Sequence, residues 1–121
     1  WHFARVQVLA AARAAGIDAI DAPFPAYQDP DGYRRSATHA GLLGFDGKWC
    51  IHPSQIAIAN EVFSPTPEEV AAAREAIETY RRSEADGVGA IGQDGRLVDA
   101  AHMRLAENTL HAASLAAEDP A

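Results

Sequence analysis

At 121 residues, with 48% hydrophobic and 22% charged residues, the chain is long enough to enclose a core and too rich in apolar groups to be read as disordered. A formal net charge of -7, from 10 basic against 17 acidic residues, disfavours a general role on nucleic-acid phosphates, yet leaves room for a small phosphorylated ligand held by a few local cations and backbone N–H groups. The single cysteine, Cys50, excludes an intrachain disulfide, no apolar run of about 18 residues marks a membrane span, and with no signal-peptide pattern cytoplasm is the expected location.

Phe3, Val6, Leu9 and Ala10 recur at helical spacing, with Arg5 and Arg13 off that stripe, and Gly16 can terminate the turn, so a helix is expected over 3–15. Residues 17–21 are short, partly apolar and followed by Pro23 and Pro25, which reads as a strand. Asp29-Pro30 offers an N-cap with Pro at the first helical position, and Tyr33, Ala37, Ala40 and Leu43 mark one face of a second helix that stops at Gly44. A strand over 47–51 follows, in whose apolar run Cys50 is expected as a buried thiol. Pro53 then opens a helix over about 53–60.

Thr66-Pro67-Glu68-Glu69 has the spacing of a capping box and predicts a long helix to about Asp86, with Val70, Ala73, Ile77 and Tyr80 inward and Glu75, Glu78, Arg81 and Arg82 solvated. Around Gln93-Asp94-Gly95 two β-prone pieces form a hairpin, since Asp-Gly suits a two-residue turn, and Asp99 can cap a final helix through about Leu115. A helix between two strands makes a parallel, right-handed βαβ unit. Two strands bury one another poorly, so further strands of a longer protein are expected to complete the sheet.

His52 stands at the carboxyl end of the second strand, just past residue 51, at the edge where parallel α/β folds place their sites. Around it stands the densest motif of the chain: Gly44-Phe45-Asp46-Gly47-Lys48, then Ile51-His52-Pro53 and Gln55, then Asn60 to Val70. Together with Ala19-Ile20-Asp21-Ala22-Pro23 and Gly95-Arg96-Leu97-Val98-Asp99, these blocks resemble the C-terminal part of the citrate lyase β-subunit family of CoA-ester lyases, within the HpcH-HpaI aldolase superfamily, which includes malyl-CoA and citramalyl-CoA lyases. The resemblance covers nearly the whole chain and leaves the substrate open. It implies an α/β fold in which residues 1–64 are the last two βα units of a TIM (β/α)8 barrel. Residues 65–121 are then a helix, hairpin and helix extension that acts as lid and in oligomer contacts. Because such a barrel takes about 200 to 250 residues and the sequence starts at Trp1 without Met, a fragment of a longer protein is expected.

The same resemblance implies Mg²⁺-dependent, reversible cleavage of a malyl-CoA-like thioester to an acyl-CoA and a 2-oxo acid, in a homo-oligomer whose subunits exchange lids. Asp99 matches an acidic residue that enters a neighbour's site as general acid/base, although Asp before Ala-Ala-His-Met is also a good N-cap. Asp21 stands where a barrel mouth gathers its groups, or is a loop Asp accepting N–H groups near Ala22 and Phe24. Asp21, Ala22 and Pro23, with Ile51, His52 and Pro53, are the expected contacts of substrate and CoA. Phe24, Pro25 and Tyr27 either extend that wall or simply pack. His52 can donate a hydrogen bond to ligand or cap the next helix, and Lys48 is expected in a surface or structural ion pair.

Five histidines without a His-x-x-x-His pair, and one cysteine, give no metal motif. The resemblance puts the Glu and Asp that hold Mg²⁺, and an Arg for the substrate carboxylate, on earlier strands outside this sequence. Competing readings are a malyl-CoA-type thioesterase on the same site, and a catalytically incomplete piece serving only oligomer contacts. A different phosphate-binding barrel would call for a Gly-rich loop after a strand, and none is present.

Overall fold

A computed structural model describes residues 1–85, 91–93, 96–98 and 100–118. They fall into two compact units, Trp1–Phe63 and Ser64–Ala121. The first contains helix α1 (His2–Ala15), strand β1 (Ile20–Asp21), helix α2 (Pro30–Leu43), strand β2 (Gly47–Lys48), a 3-10 turn (Pro53–Gln55) and helix α3 (Ile56–Phe63). β1 and β2 pair in parallel, Ile20 beside Gly47 and Asp21 beside Lys48, which is the expected βαβ arrangement.

The boundaries follow from where backbone groups find partners. Gly16 and Gly44 take the left-handed conformation at φ 67° and 102°. Behind each, the next amide turns back into the helix, Ile17 N–H to Ala12 O and Phe45 N–H to Ala40 O, both at 3.1 Å. At the other end of α2, Asp29 accepts from Gly32 N–H at 2.8 Å and Pro30 starts the helix.

Both strands are shorter than the expected 17–21 and 47–51. Ile17 gives its amide to the cap of α1, and Ala19 N–H donates to the Asp46 carboxylate at 2.7 Å. Beyond β2 the ladder has one more bond, Trp49 N–H to Asp21 O at 3.1 Å, before Ile51 N–H turns to the Gln55 side chain. Trp49, Cys50 and Ile51 are exposed. The expectation of a buried thiol at Cys50 is therefore corrected, because the strand ends before it. The helix expected over 53–60 begins as a 3-10 turn and continues as α3 to Phe63.

The core of this unit is small. Ala19, Ala40 and Phe45 pack with Leu9, Ala12, Leu43 and Phe63, while Tyr33, Ala37 and Ala59 pack with Phe24, Ile58, Val62 and Phe63. The face of α1 differs from the expected stripe. Leu9 and Ala12 are half-buried, Phe3 and Val6 are exposed, and Arg5 and Arg13 reach the carboxylates of Asp21 and Asp46. Residues 5, 9, 12 and 13 are one helical face by spacing, so ion pairing directs the helix as much as apolar area does.

In the second unit the capping box closes in both directions: Thr66 N–H donates to Glu69 Oε2 at 2.8 Å, and Glu69 N–H donates to Thr66 Oγ1 at 3.2 Å. Helix α4 (Pro67–Ala85) buries Ala73 and Ile77 with Ala106 of helix α5 (Ala100–Glu118), and Met103 and Leu110 pack around them. Glu75, Glu78, Arg81 and Arg82 are exposed as expected, and Arg82 bridges to Glu78 one turn back at 3.0 Å. Strands β3 (Ile91–Gln93) and β4 (Arg96–Val98) pair antiparallel with Gln93 opposite Arg96. Asp94 and Gly95 themselves, and Asp99, lie outside the described residues.

Candidate functional site

The cross-strand pair at the end of the sheet is charged. Asp21 is buried, and Lys48 Nζ, on a side chain only 3% exposed, donates to its Oδ2 at 2.7 Å. Arg5 completes the carboxylate in a fork, Nε to Oδ1 and Nη2 to Oδ2, each at 3.0 Å. The guanidinium also stands 5.5 Å from the centre of the Phe45 ring. Lys48 Nζ donates in addition to Ala22 O at 2.6 Å, tying down the first residue after β1. Lys48 is thus in a structural ion pair and not at the surface. Asp21 is paired by side chains and does not serve as the loop acceptor that one reading allowed, because the parallel register sets Lys48 beside it.

A second ion pair closes the opposite end of the strands. Asp46 accepts from Arg13 Nη2 at 2.8 Å, which also donates to Gly44 O at 2.6 Å. Burial raises the Asp46 pKa, but the hydrogen bonds from Arg13 and from Ala19 N–H outweigh it and hold the carboxyl below its ordinary value of 3.8. The contribution of a group depressed in the folded state is full above its unfolded pKa and is lost as pH falls through the folded one. Urea midpoints of the chain should therefore fall below about pH 4. The gap between the chain and Asp46→Asn should narrow over that range, whereas a constant gap down to pH 2.5 would mean that the pair carries no pH-dependent stability.

Beyond the strand ends, two exposed loops meet. The first carries Ala22, Pro23, Pro25 and Tyr27, with Phe24 half-buried and packed into the core beneath; the second carries Ile51, His52 and Pro53. Gln55, 1% exposed, joins them: its Oε1 accepts from Ile51 N–H at 2.8 Å and its Nε2 donates to Phe24 O at 3.0 Å. Both ends of the carboxamide are used, which such burial requires, since each polar group buried without a partner costs about 1–3 kcal/mol. The Tyr27 and His52 rings stack at 4.6 Å between centroids, 25° apart. Ser54 Oγ reaches Tyr27 O at 3.5 Å.

His52 caps the 3-10 turn, its Nδ1 accepting from Ser54 N–H at 3.2 Å. The neutral ring then carries its proton on Nε2, which makes that nitrogen a donor. Under the loop, the Tyr33 hydroxyl lies 3.2 Å from Cys50 Sγ. Burial first, and then the thiol contact, push the Tyr33 phenol well above its ordinary value, so it stays neutral.

Of the residues expected at the site, the structure gathers Ala22, Pro23, Ile51, His52 and Pro53 on one exposed surface and sets Asp21 beneath it in the ion-pair cluster. Reading the sequence misses Gln55 as the joint between the loops and Arg5 as the second cation on Asp21. Helical spacing of Arg5 with Leu9 and Ala12 was the available signal for the latter. Among the described residues, no three His, Cys, Asp or Glu side chains come together to hold a metal ion, and no helix is long and apolar enough to cross a membrane.

Residues 1–53 match the family model described as HpcH/HpaI aldolase/citrate lyase. An L-malyl-CoA/beta-methylmalyl-CoA lyase of Rhodobacter capsulatus is 44% identical over 116 residues, 96% of this chain and 36% of that protein. A (3S)-malyl-CoA thioesterase of Cereibacter sphaeroides is 42% identical over 102 residues, 84% of this chain and 36% of that protein. Among solved structures, the CitE protein of Mycobacterium tuberculosis, in complex with magnesium, acetoacetate and coenzyme A, superposes with a TM-score of 0.77 at 34% identity, over 93% of this chain and 41% of that one. The chain thus spans well under half the length of these relatives.

Proposed function

Because this chain belongs to the HpcH/HpaI aldolase/citrate lyase family, we propose that it is the C-terminal part of a CoA-ester lyase. The parent enzyme cleaves a malyl-CoA-like thioester reversibly to an acyl-CoA and a 2-oxo acid. The observation that carries this reading is the surface held by Gln55, where the loops after two parallel strands form one wall, combined with 44% identity to a malyl-CoA lyase over nearly the whole chain. In this reading β1 and β2 are the last strands of a TIM-like barrel. Ligands sit at the carboxyl ends of such strands, where Ala22, Pro23, Ile51, His52 and Pro53 form the wall for the CoA arm. His52 Nε2–H is the donor that wall offers. Asp21 acts beneath it, through Lys48 and the Ala22 carbonyl.

Residues 65–121 form the extension that covers a neighbouring subunit's site, with Asp99 as general acid/base on the carbon that becomes the acyl-CoA methyl group. Magnesium enters through the kinship with the CitE protein, and its ligands, a Glu and an Asp, are expected on earlier strands of the parent enzyme. The thioesterase among the relatives supports a second outcome on the same surface, hydrolysis when water reaches the thioester.

The deciding assay supplies malyl-CoA and Mg²⁺ to the full-length protein and separates the products. Acetyl-CoA with glyoxylate is the expected result. Malate with free CoA would assign the thioesterase reading, and turnover of neither kind would leave the incomplete, purely structural piece as the account.

A further inference from the structure

We propose that Gln55 is the positioning residue of this surface: by bridging the loops after β1 and β2 it sets the site's affinity for the CoA portion of the thioester without taking part in the chemistry. The inference rests on the reading of those loops as the CoA wall. Phe24 and Ile51 lie far apart in sequence and share no strand ladder, yet one buried carboxamide holds the carbonyl of the first and the amide of the second, at 3.0 and 2.8 Å. Each is the sequence neighbour of an exposed candidate contact, Pro23 on one side and His52 on the other. The spacing between these contacts is therefore fixed by Gln55.

No other neutral side chain of this length both donates and accepts. Glutamate matches its shape and keeps the acceptor for Ile51 N–H, but its carboxylate opposes Phe24 O. Leucine keeps the volume and loses both bonds. The Tyr27 and His52 stack and the contact of Ser54 with Tyr27 O lie at the exposed rim of the same junction. They depend on the spacing that the buried bridge sets.

The test compares Gln55→Glu and Gln55→Leu with the unaltered full-length protein, in calorimetric binding of free CoA and in KM and kcat for malyl-CoA. The expected result is a Kd for CoA and a KM raised about tenfold or more, with kcat within about threefold. Leu43→Ala, a core change away from both loops, should lower Tm and leave KM where it was. Folded Gln55 variants with unaltered CoA affinity would overturn the inference, as would a Leu43→Ala variant that raised KM equally, since that marks a merely structural effect. If the variants do not fold, hydrogen exchange of the Ile51 amide in the unaltered protein decides: slowing by CoA supports the bridge as part of the wall, and no change overturns it. Unaltered protein that fails to bind CoA overturns the underlying reading of the loops, a result distinct from both.

Discussion

Asp21→Asn is expected to destabilise the chain by about 3–5 kcal/mol, the range for removing one partner of a buried ion pair. The carboxylate accepts from two cations, and they are not equivalent. Arg5 is a quarter exposed and can turn its guanidinium toward water. Lys48 cannot, because its side chain is only 3% exposed and its other hydrogen-bond partner is the Ala22 carbonyl. Substitution at Asp21 strands that ammonium in a low-dielectric setting, whereas Lys48→Met leaves the carboxylate with the Arg5 fork and fills the space with an apolar chain of similar volume. The order of damage should be Asp21→Asn first, then Lys48→Met. The double variant should be no worse than Asp21→Asn alone, because the stranded charge has gone. Urea titrations at low and high salt would check this, with little salt dependence for so buried a pair. A Lys48→Met variant less stable than Asp21→Asn would show that the ammonium, and not the carboxylate, is the group the cluster serves.

That cluster shows where the sequence could be read and where it could not. Helix α2 has both ends as expected, because Asp29-Pro30 and Gly44 act within their own turns. The capping box at Thr66 is local in the same way. The strands stop short of what their residues suggest because side chains both near and far in sequence compete for their amides. Asp46 takes Ala19 N–H from 27 positions on, and Gln55 takes Ile51 N–H through a side chain that an apolar stripe leaves out. The inward face of α1 failed for a related reason. Arg5 and Arg13 look solvated by composition, and only the fold brings them to carboxylates 16 and 33 positions away. Family motifs located the loops after the strands without saying what joins them. The Ile-His-Pro-x-Gln spacing contained the joint, yet nothing in residue type alone distinguishes a buried amide from an exposed one at the start of a helix.

Asp99→Ala in the full-length protein is expected to lower kcat by about 10²–10⁴-fold, the range for loss of a positioned general acid or base, with little change in KM. Asp99 lies outside the described residues, so the expectation comes from the Gly95-Arg96-Leu97-Val98-Asp99 block that resembles the family and from the chemistry of the reaction. Carbon–carbon cleavage of malyl-CoA leaves an enolate of the acyl thioester, which must take a proton on carbon, and a carboxylic acid in a water-excluding lid can supply it. An N-cap role makes a different forecast. Loss of a cap costs about 0.5–2 kcal/mol of stability and leaves turnover in the folded fraction intact. Asp99→Asn separates the two, since asparagine caps as well as aspartate but cannot exchange this proton. Acid/base catalysis predicts an Asn variant as stable as the parent and as slow as the Ala variant. Capping predicts an Asn variant that is fully active. Where the extension covers a neighbour's site, mixed oligomers of Asp99→Ala with an Ile51→Asp variant, whose CoA wall is spoiled but whose Asp99 is intact, should regain activity that neither shows alone. Failure to regain any would confine Asp99 to its own subunit.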